Sequence, residues 1–249
     1  MLENFDLAGK VALVTGGSGG IGGAVARVLA KRGASVAVHY FRNQASASAL
    51  AAELHANGQK AMTVGGDVGR EADTFAIAAA VAKQFGHIDI LVNNAGSLAN
   101  LPFGSVTADA FDQQFHANVL SVVLMTQAVM PYFPTTSGRI INVSTNIVAA
   151  PLPGTAIYSA TKAAVSTITA GFARELGHRG VTVNAVAPGA TDTKMLDWLT
   201  AEAREGIARS TPLGRMGLPS DVAEAIAFFA SDAAQFITGR TLIIDGGLV

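Results

Sequence analysis

Seven short runs of Val, Ile, Leu and Ala recur along the 249-residue chain, separated by stretches with helical spacing. The runs read as strands at residues 10–15 (KVALVT), 35–39, 61–64, 88–93, 139–144 (RIINVS), 181–186 and 241–244. Helical patterns fill residues 21–32, 45–57, 71–85, 108–130, 157–176, 195–208 and 220–230. Gly33, Gly58 and Gly86 stand where three of them stop, the usual place for glycine just past a helix end. Strands that are apolar without alternation are buried on both faces, which means a parallel sheet between two helix layers. Right-handed crossovers then wind an open α/β sheet in both directions from its centre. No linker, repeat or low-complexity segment interrupts this order, so residues 1–249 read as one domain with a small lobe at 190–212.

Charge is scarce. Lys+Arg number 17 and Asp+Glu 18, together 14 % of the chain, where soluble domains carry about 25 %. A membrane protein would explain this, but the longest uncharged runs, 117–138 and 140–161, are broken by Asn118, Gln127, Pro131, Asn142, Asn146 and Pro151. A span needs about 20 nearly continuous apolar residues, so no membrane partner is expected. The first ten residues show neither a basic start nor an apolar run, and a cytoplasmic protein is the expectation. The near-zero net charge argues against a nucleic-acid binder, which needs a clustered basic face. With no cysteine, disulfides, thiolate metal sites and a cysteine nucleophile are excluded, and no metal site is expected.

The first strand runs into Thr15-Gly16-Gly17-Ser18-Gly19-Gly20-Ile21-Gly22 and then a helix. Such a turn lets backbone approach a pyrophosphate at the positive end of the helix. It marks a Rossmann-type nucleotide site with Gly16, Ser18, Gly20, Ile21 and Gly22 as contacts. An acid after the second strand would bind a ribose 2′-hydroxyl, but His39-Tyr40-Phe41-Arg42-Asn43-Gln44 has none. Arg42 could instead pair with a 2′-phosphate, which favours NADP(H) over NAD(H) and adds Tyr40 and Arg42 to the site. Asp67 and Val68 follow the third strand and suit either an adenine edge or a helix cap. Asn94, Ala95 and Gly96 close the fourth strand with side chains small enough for close cofactor approach.

Tyr158 and Lys162 are spaced i, i+4 on one helix face. A free Tyr has a pKa of about 10, and a neighbouring ammonium lowers it toward useful acid/base work. Taken in order, the glycine turn, Asn93-Asn94-Ala95-Gly96, Asn118, Ser144-Thr145, Tyr158/Lys162 and Pro188-Gly189 resemble the short-chain dehydrogenase/reductase family across nearly the whole chain. The segments 212–217 (PLGRMG) and 219–223 (PSDVA) are similar to its 3-oxoacyl-carrier-protein-reductase-like members. The resemblance implies an oxidoreductase moving hydride between NAD(P)(H) and a carbonyl/alcohol pair. Tyr158 would then be the acid/base. Lys162 would hold the ribose and lower the Tyr pKa, and Asn118 would hold a relay water. Pro188, Gly189 and Thr191 would line the nicotinamide side, and Thr193 would reach the carboxamide or pyrophosphate. The family's catalytic hydroxyl usually lies 13 residues before the Tyr. That count reaches Thr145 here, while Ser144 is 14 residues away. Spacing favours Thr145, and a one-residue loop difference would select Ser144.

The lobe carries Met195, Leu196, Leu199 and the single tryptophan, Trp198. With Leu98, Leu101, Phe103, Ile147, Val148, Leu152 and Pro153 these residues either form an apolar substrate pocket or pack elsewhere. No Arg or Lys cluster announces an anionic substrate. The resemblance also implies subunit contacts through the two charge-poor helices around 108–130 and 157–176, and hence a homotetramer. Two competing readings share the fold: a non-catalytic nucleotide-binding redox sensor, and a related double-bond reductase or epimerase.

Overall fold

The computed structural model describes residues 5–249; residues 1–4, the start of the stretch read for a leader, lie outside the described residues. Seven strands form one parallel sheet in the order β3-β2-β1-β4-β5-β6-β7. They are β1 (Val11–Val14), β2 (Ser35–Tyr40), β3 (Ala61–Gly65), β4 (Ile90–Asn93), β5 (Gly138–Val143), β6 (Val181–Pro188) and β7 (Thr241–Ile244). The helices are α1 (Gly20–Lys31), α2 (Gln44–Ala56), α3 (Glu71–Phe85), α4 (Ala108–Phe115), α5 (Ser121–Val129), α6 (Ala156–Leu176), α7 (Ala201–Ser210) and α8 (Pro219–Ala230).

The unbroken apolar strands are explained by their two buried faces. Side chains alternate along a strand, so Ala12 and Val14 enter a core with Val25, Leu29 and Ile226 of α1 and α8. Val11 and Leu13 point the other way, toward Ile77, Val81, Met125 and Val129 of α3 and α5. All four residues of β1 are buried. β1 lies between β2 and β4, so the strand order reverses there. The crevice beyond the carboxyl ends of β1 and β4 is where such sheets bind ligands. Two expected helices are divided. Residues 108–130 split into α4, a π-helical turn over His116–Leu120, and α5. In the lobe, residues 194–196 form a short 3-10 turn, and α7 starts only at Ala201 because the Thr200 hydroxyl caps it, accepting the Ala203 N–H at 3.2 Å. Among the described residues, no helix is long and apolar enough to cross a membrane.

Candidate active site

The glycine turn is held from three sides. Gly16 and Gly20 have φ of 61° and 54°, a backbone conformation that suits glycine. Asn94 donates from its side-chain amide to the carbonyls of Thr15 (2.9 Å) and Gly16 (3.1 Å). The Thr15 hydroxyl in turn accepts the N–H groups of Asn94 and Ala95, each at 3.0 Å. A Cβ on Gly22 would lie 2.3 Å from the Gly16 oxygen and 2.5 Å from the Asn94 amide nitrogen. α1 begins with no side-chain cap and no acid in its first turn. Its first N–H groups are therefore left for an external acceptor, as a bound pyrophosphate requires. Thr193 stands over this turn, 3.4 Å from where a Gly20 Cβ would be.

The third support is His39. His39, at 1 % exposure, accepts the Gly16 N–H on Nδ1 at 3.1 Å, while its Nε2 bonds the Gly66 carbonyl at 3.1 Å. The acceptor role of Nδ1 places the single proton on Nε2. Burial holds this imidazole below its ordinary pKa, against the pull of the Gly66 carbonyl and the Asp67 charge. The ring ties the phosphate turn to the end of β3. A lone His in an apolar strand carries no sequence signal for this, because both partners are backbone groups brought together only by strand pairing.

At the ribose end, Arg42 is exposed, with its guanidinium 5.0 Å from the centre of the Phe41 ring. Tyr40 packs flat over Gly65, where a Cβ would meet the ring at 2.7 Å. Asp67 accepts the Gly69 N–H at 2.9 Å, a local turn contact, and Val68 is buried in the core on the α3 side. What these two offer a ligand is therefore chiefly their backbone and the free carboxylate edge.

The catalytic candidates converge at the carboxyl ends of β4, β5 and β6. Thr145 lines the same cavity as Tyr158, and its hydroxyl donates to the Pro188 carbonyl at 3.4 Å. Ser144 points the other way: its hydroxyl bonds the Lys162 carbonyl at 3.0 Å and Ser166 at 3.1 Å, inside the packing of α6. Lys162 is 4 % exposed and donates to the Val143 carbonyl at 2.8 Å. Burial pushes its pKa down to about 8. The Tyr158 hydroxyl is pushed up to about 12 by burial, with the Thr145 hydroxyl pulling it back only in part. The expected lowering by Lys162 is not seen, because the ammonium lies 6.0 Å from the Tyr ring centre and is turned to Val143. Asn118, in the π turn, is fully buried. Its amide donates to the Ser97 carbonyl (2.9 Å) and the Thr161 hydroxyl (3.1 Å), and its oxygen accepts the Ser97 N–H (2.8 Å). The side chain is thus a brace between the segment after β4 and α6, with no amide hydrogen left for a relay water. Gly96 allows the tight approach here, since a Cβ would stand 3.0 Å from Asn118 and 3.3 Å from the Lys162 ammonium.

Gly96, Ser144, Thr145, Tyr158 and Lys162 share one cavity of about 290 Å³, which Pro188, Gly189, Thr191 and Thr193 also line and Asn118 does not. Leu98, Ile147, Leu152 and Pro153 join them with Met195, Leu196, Trp198 and Leu199 of the lobe; Leu101, Phe103 and Val148 do not. Among the described residues, no cluster of acidic and His side chains suits a metal ion.

An uncapped glycine turn beside a Thr–Tyr–Lys group on a parallel sheet defines a nucleotide-dependent oxidoreductase fold. The chain belongs to the short-chain dehydrogenase/reductase family and is an NAD(P)-dependent oxidoreductase. Residues 16–249 match the family described as enoyl-(acyl carrier protein) reductase. The chain is 40 % identical to the 3-oxoacyl-acyl-carrier-protein reductase of Staphylococcus aureus, covering 96 % of this chain and 98 % of that protein. A dehydrogenase/reductase from Sinorhizobium meliloti superposes with a TM-score of 0.95 at 36 % identity, covering 100 % of this chain and 98 % of the other. A short-chain dehydrogenase from Burkholderia cenocepacia, solved in complex with NADP, gives 0.91 at 38 % identity over 97 % and 98 % of the two chains.

Proposed function

We propose that this protein reduces a ketone to a secondary alcohol with NADPH, Tyr158 supplying the proton. The observation that carries this reading is that Thr145, Tyr158 and Lys162 line one largely apolar cavity. In that shared lining two hydroxyl side chains are available to one carbonyl oxygen. NADPH, when bound, supplies the hydride to the carbonyl carbon. Tyr158 gives its proton to the oxygen, and Thr145 donates a hydrogen bond to the charge that builds there. Lys162, the nearest cation, holds the ribose and offsets the phenolate left behind. Asn118 positions this group by joining Ser97 to α6. Pro188, Gly189 and Thr191 form the nicotinamide wall, and Thr193 closes over the glycine turn.

The preference for NADP(H) rests on Arg42 and on the absence of an acid over residues 39–44, since a carboxylate there would repel a 2′-phosphate. The reducing direction is favoured because burial favours the neutral phenol, the form that reduction uses as proton donor. The same reading includes a cytoplasmic homotetramer, supported by the low charge and by apolar side chains left in solvent. The test is loss of NADPH absorbance against a panel of ketones, with both cofactors, for the native chain and Tyr158→Phe. Turnover lost by about 100-fold or more in the variant, with NADPH still bound, is expected. Cofactor binding without turnover of any carbonyl compound would favour the redox sensor.

A further inference from the structure

Resting on the ketone-reductase reading, we infer that the substrate is a free, uncharged ketone with a bulky apolar body, capped by Trp198, and not an acyl group carried on an anionic tether. Among the described residues, Lys162 is the only charged side chain that lines the catalytic cavity, and it is buried and donates to the Val143 carbonyl. The two loops at the mouth, residues 97–107 and 145–157, contain no Asp, Glu, Lys, Arg or His. They are fastened together: Leu101 donates to the Gly154 carbonyl at 2.8 Å, and Gly154, with φ of 79°, leaves room for Asn100.

The third side of the mouth is the lobe. Its Arg204 is taken up by Asp192 at 2.6 Å, Asp197 at 3.6 Å and the Leu196 carbonyl at 2.9 Å. Lys194 is exposed but does not line the cavity. Arg209 of the lobe is paired with Glu205 at 3.3 Å, so a phosphodiester tether or an acidic carrier would meet no cluster of unpaired basic side chains among the described residues at this mouth, and nothing there would favour its charge over a neutral substrate. Meanwhile Leu152, Met195 and Trp198 line the cavity while 58 %, 49 % and 69 % exposed. Covering these side chains with apolar substrate surface is the favourable outcome.

Trp198 is the only tryptophan, so its fluorescence reports on this site alone. With NADP⁺ present, a neutral bicyclic ketone should change the emission saturably. In turnover with NADPH, the uncharged N-acetylcysteamine thioester of a 3-oxoacyl group should exceed the coenzyme A thioester of the same group at least tenfold in kcat/KM. Trp198→Ala should lose tenfold or more in kcat/KM on the bicyclic ketone, through KM, and little on a small one. Equal or better use of the coenzyme A thioester overturns the inference while leaving the ketone-reductase reading intact. So does an equal loss on large and small ketones in Trp198→Ala. If NADPH binds and no carbonyl compound is turned over, the ketone-reductase reading itself fails, and this inference with it.

Discussion

Tyr158 and Lys162 shift in opposite senses for one reason: burial disfavours the charged form of each. Reduction needs the phenol and oxidation the phenolate. Below the Lys162 transition, from about pH 6 to 8, alcohol oxidation should therefore rise about tenfold per unit while ketone reduction stays nearly flat, as initial rates in both directions will show. The two adjacent hydroxyls separate cleanly. Thr145→Ala should cut kcat by about 10²–10³, the loss of one donor to a developing oxyanion. Ser144→Ala should keep most of its turnover and lose about 1 kcal/mol of stability in denaturant unfolding, because its hydroxyl serves α6. His39 makes a prediction of another kind. Its pKa is lowered in the folded state, so the neutral ring's contribution is complete above about pH 6.5 and is lost as pH falls toward the lowered value. A protonated ring cannot accept the Gly16 N–H. NADPH affinity, followed by titration, should weaken on acidification in step. His39→Phe should raise the NADPH KM about tenfold with kcat little changed, and should flatten that pH dependence.

The strand–turn–helix unit of β1, the glycine turn and α1 was legible because glycine spacing is a local property. What the spacing could not show is why each glycine is needed. Gly22 is closed off by Gly16 and by Asn94, a residue 72 positions further on. Gly22→Ala should cost about 1–3 kcal/mol of stability from the steric clash and more in NADPH affinity, read by thermal unfolding with and without cofactor. The region 108–130 shows the limit of periodicity. Its residue types suit a continuous helix, yet the π turn at His116–Leu120 turns Asn118 inward to reach Ser97 and Thr161. Such insertions are set by the packing partner and occur often at functional sites. The lobe departs from its helical pattern for a similar reason: apolar residues 195, 196, 198 and 199 mimic helical spacing, but they belong to a turn facing the cavity.

At the scale of the whole molecule, the low charge is accounted for in part by the core, where the strands β1, β4, β5 and β6 are buried along their length. The rest concerns the surface. β7 is an edge strand with Leu242 and Ile243 at 42 % and 46 % exposure, and Phe236 near it in sequence is fully exposed. On α4, Phe111 stacks on Phe115 at 4.4 Å and is itself exposed. Unpaired apolar edges invite pairing with another chain, and two separate patches suit an assembly built on two interfaces. Light scattering at micromolar concentration should give a tetramer, and Leu242→Lys should reduce it to a smaller species with its circular dichroism unchanged. A native monomer would leave the exposed apolar surface unexplained.

The order of strands and helices, the parallel sheet, the nucleotide turn and the Tyr/Lys pair were determined by sequence alone, because each depends on spacing within one segment and on how apolar residues are distributed. Tertiary structure decided the rest. It brought Thr145 into the cavity that Tyr158 lines and Ser144 into α6, made Asn118 a brace, and set His39 under the glycine turn. It also gathered an almost chargeless cavity from three distant segments. Those outcomes depend on which backbone groups strand pairing and helix packing bring within hydrogen-bond reach, and on what burial then does to the groups so placed.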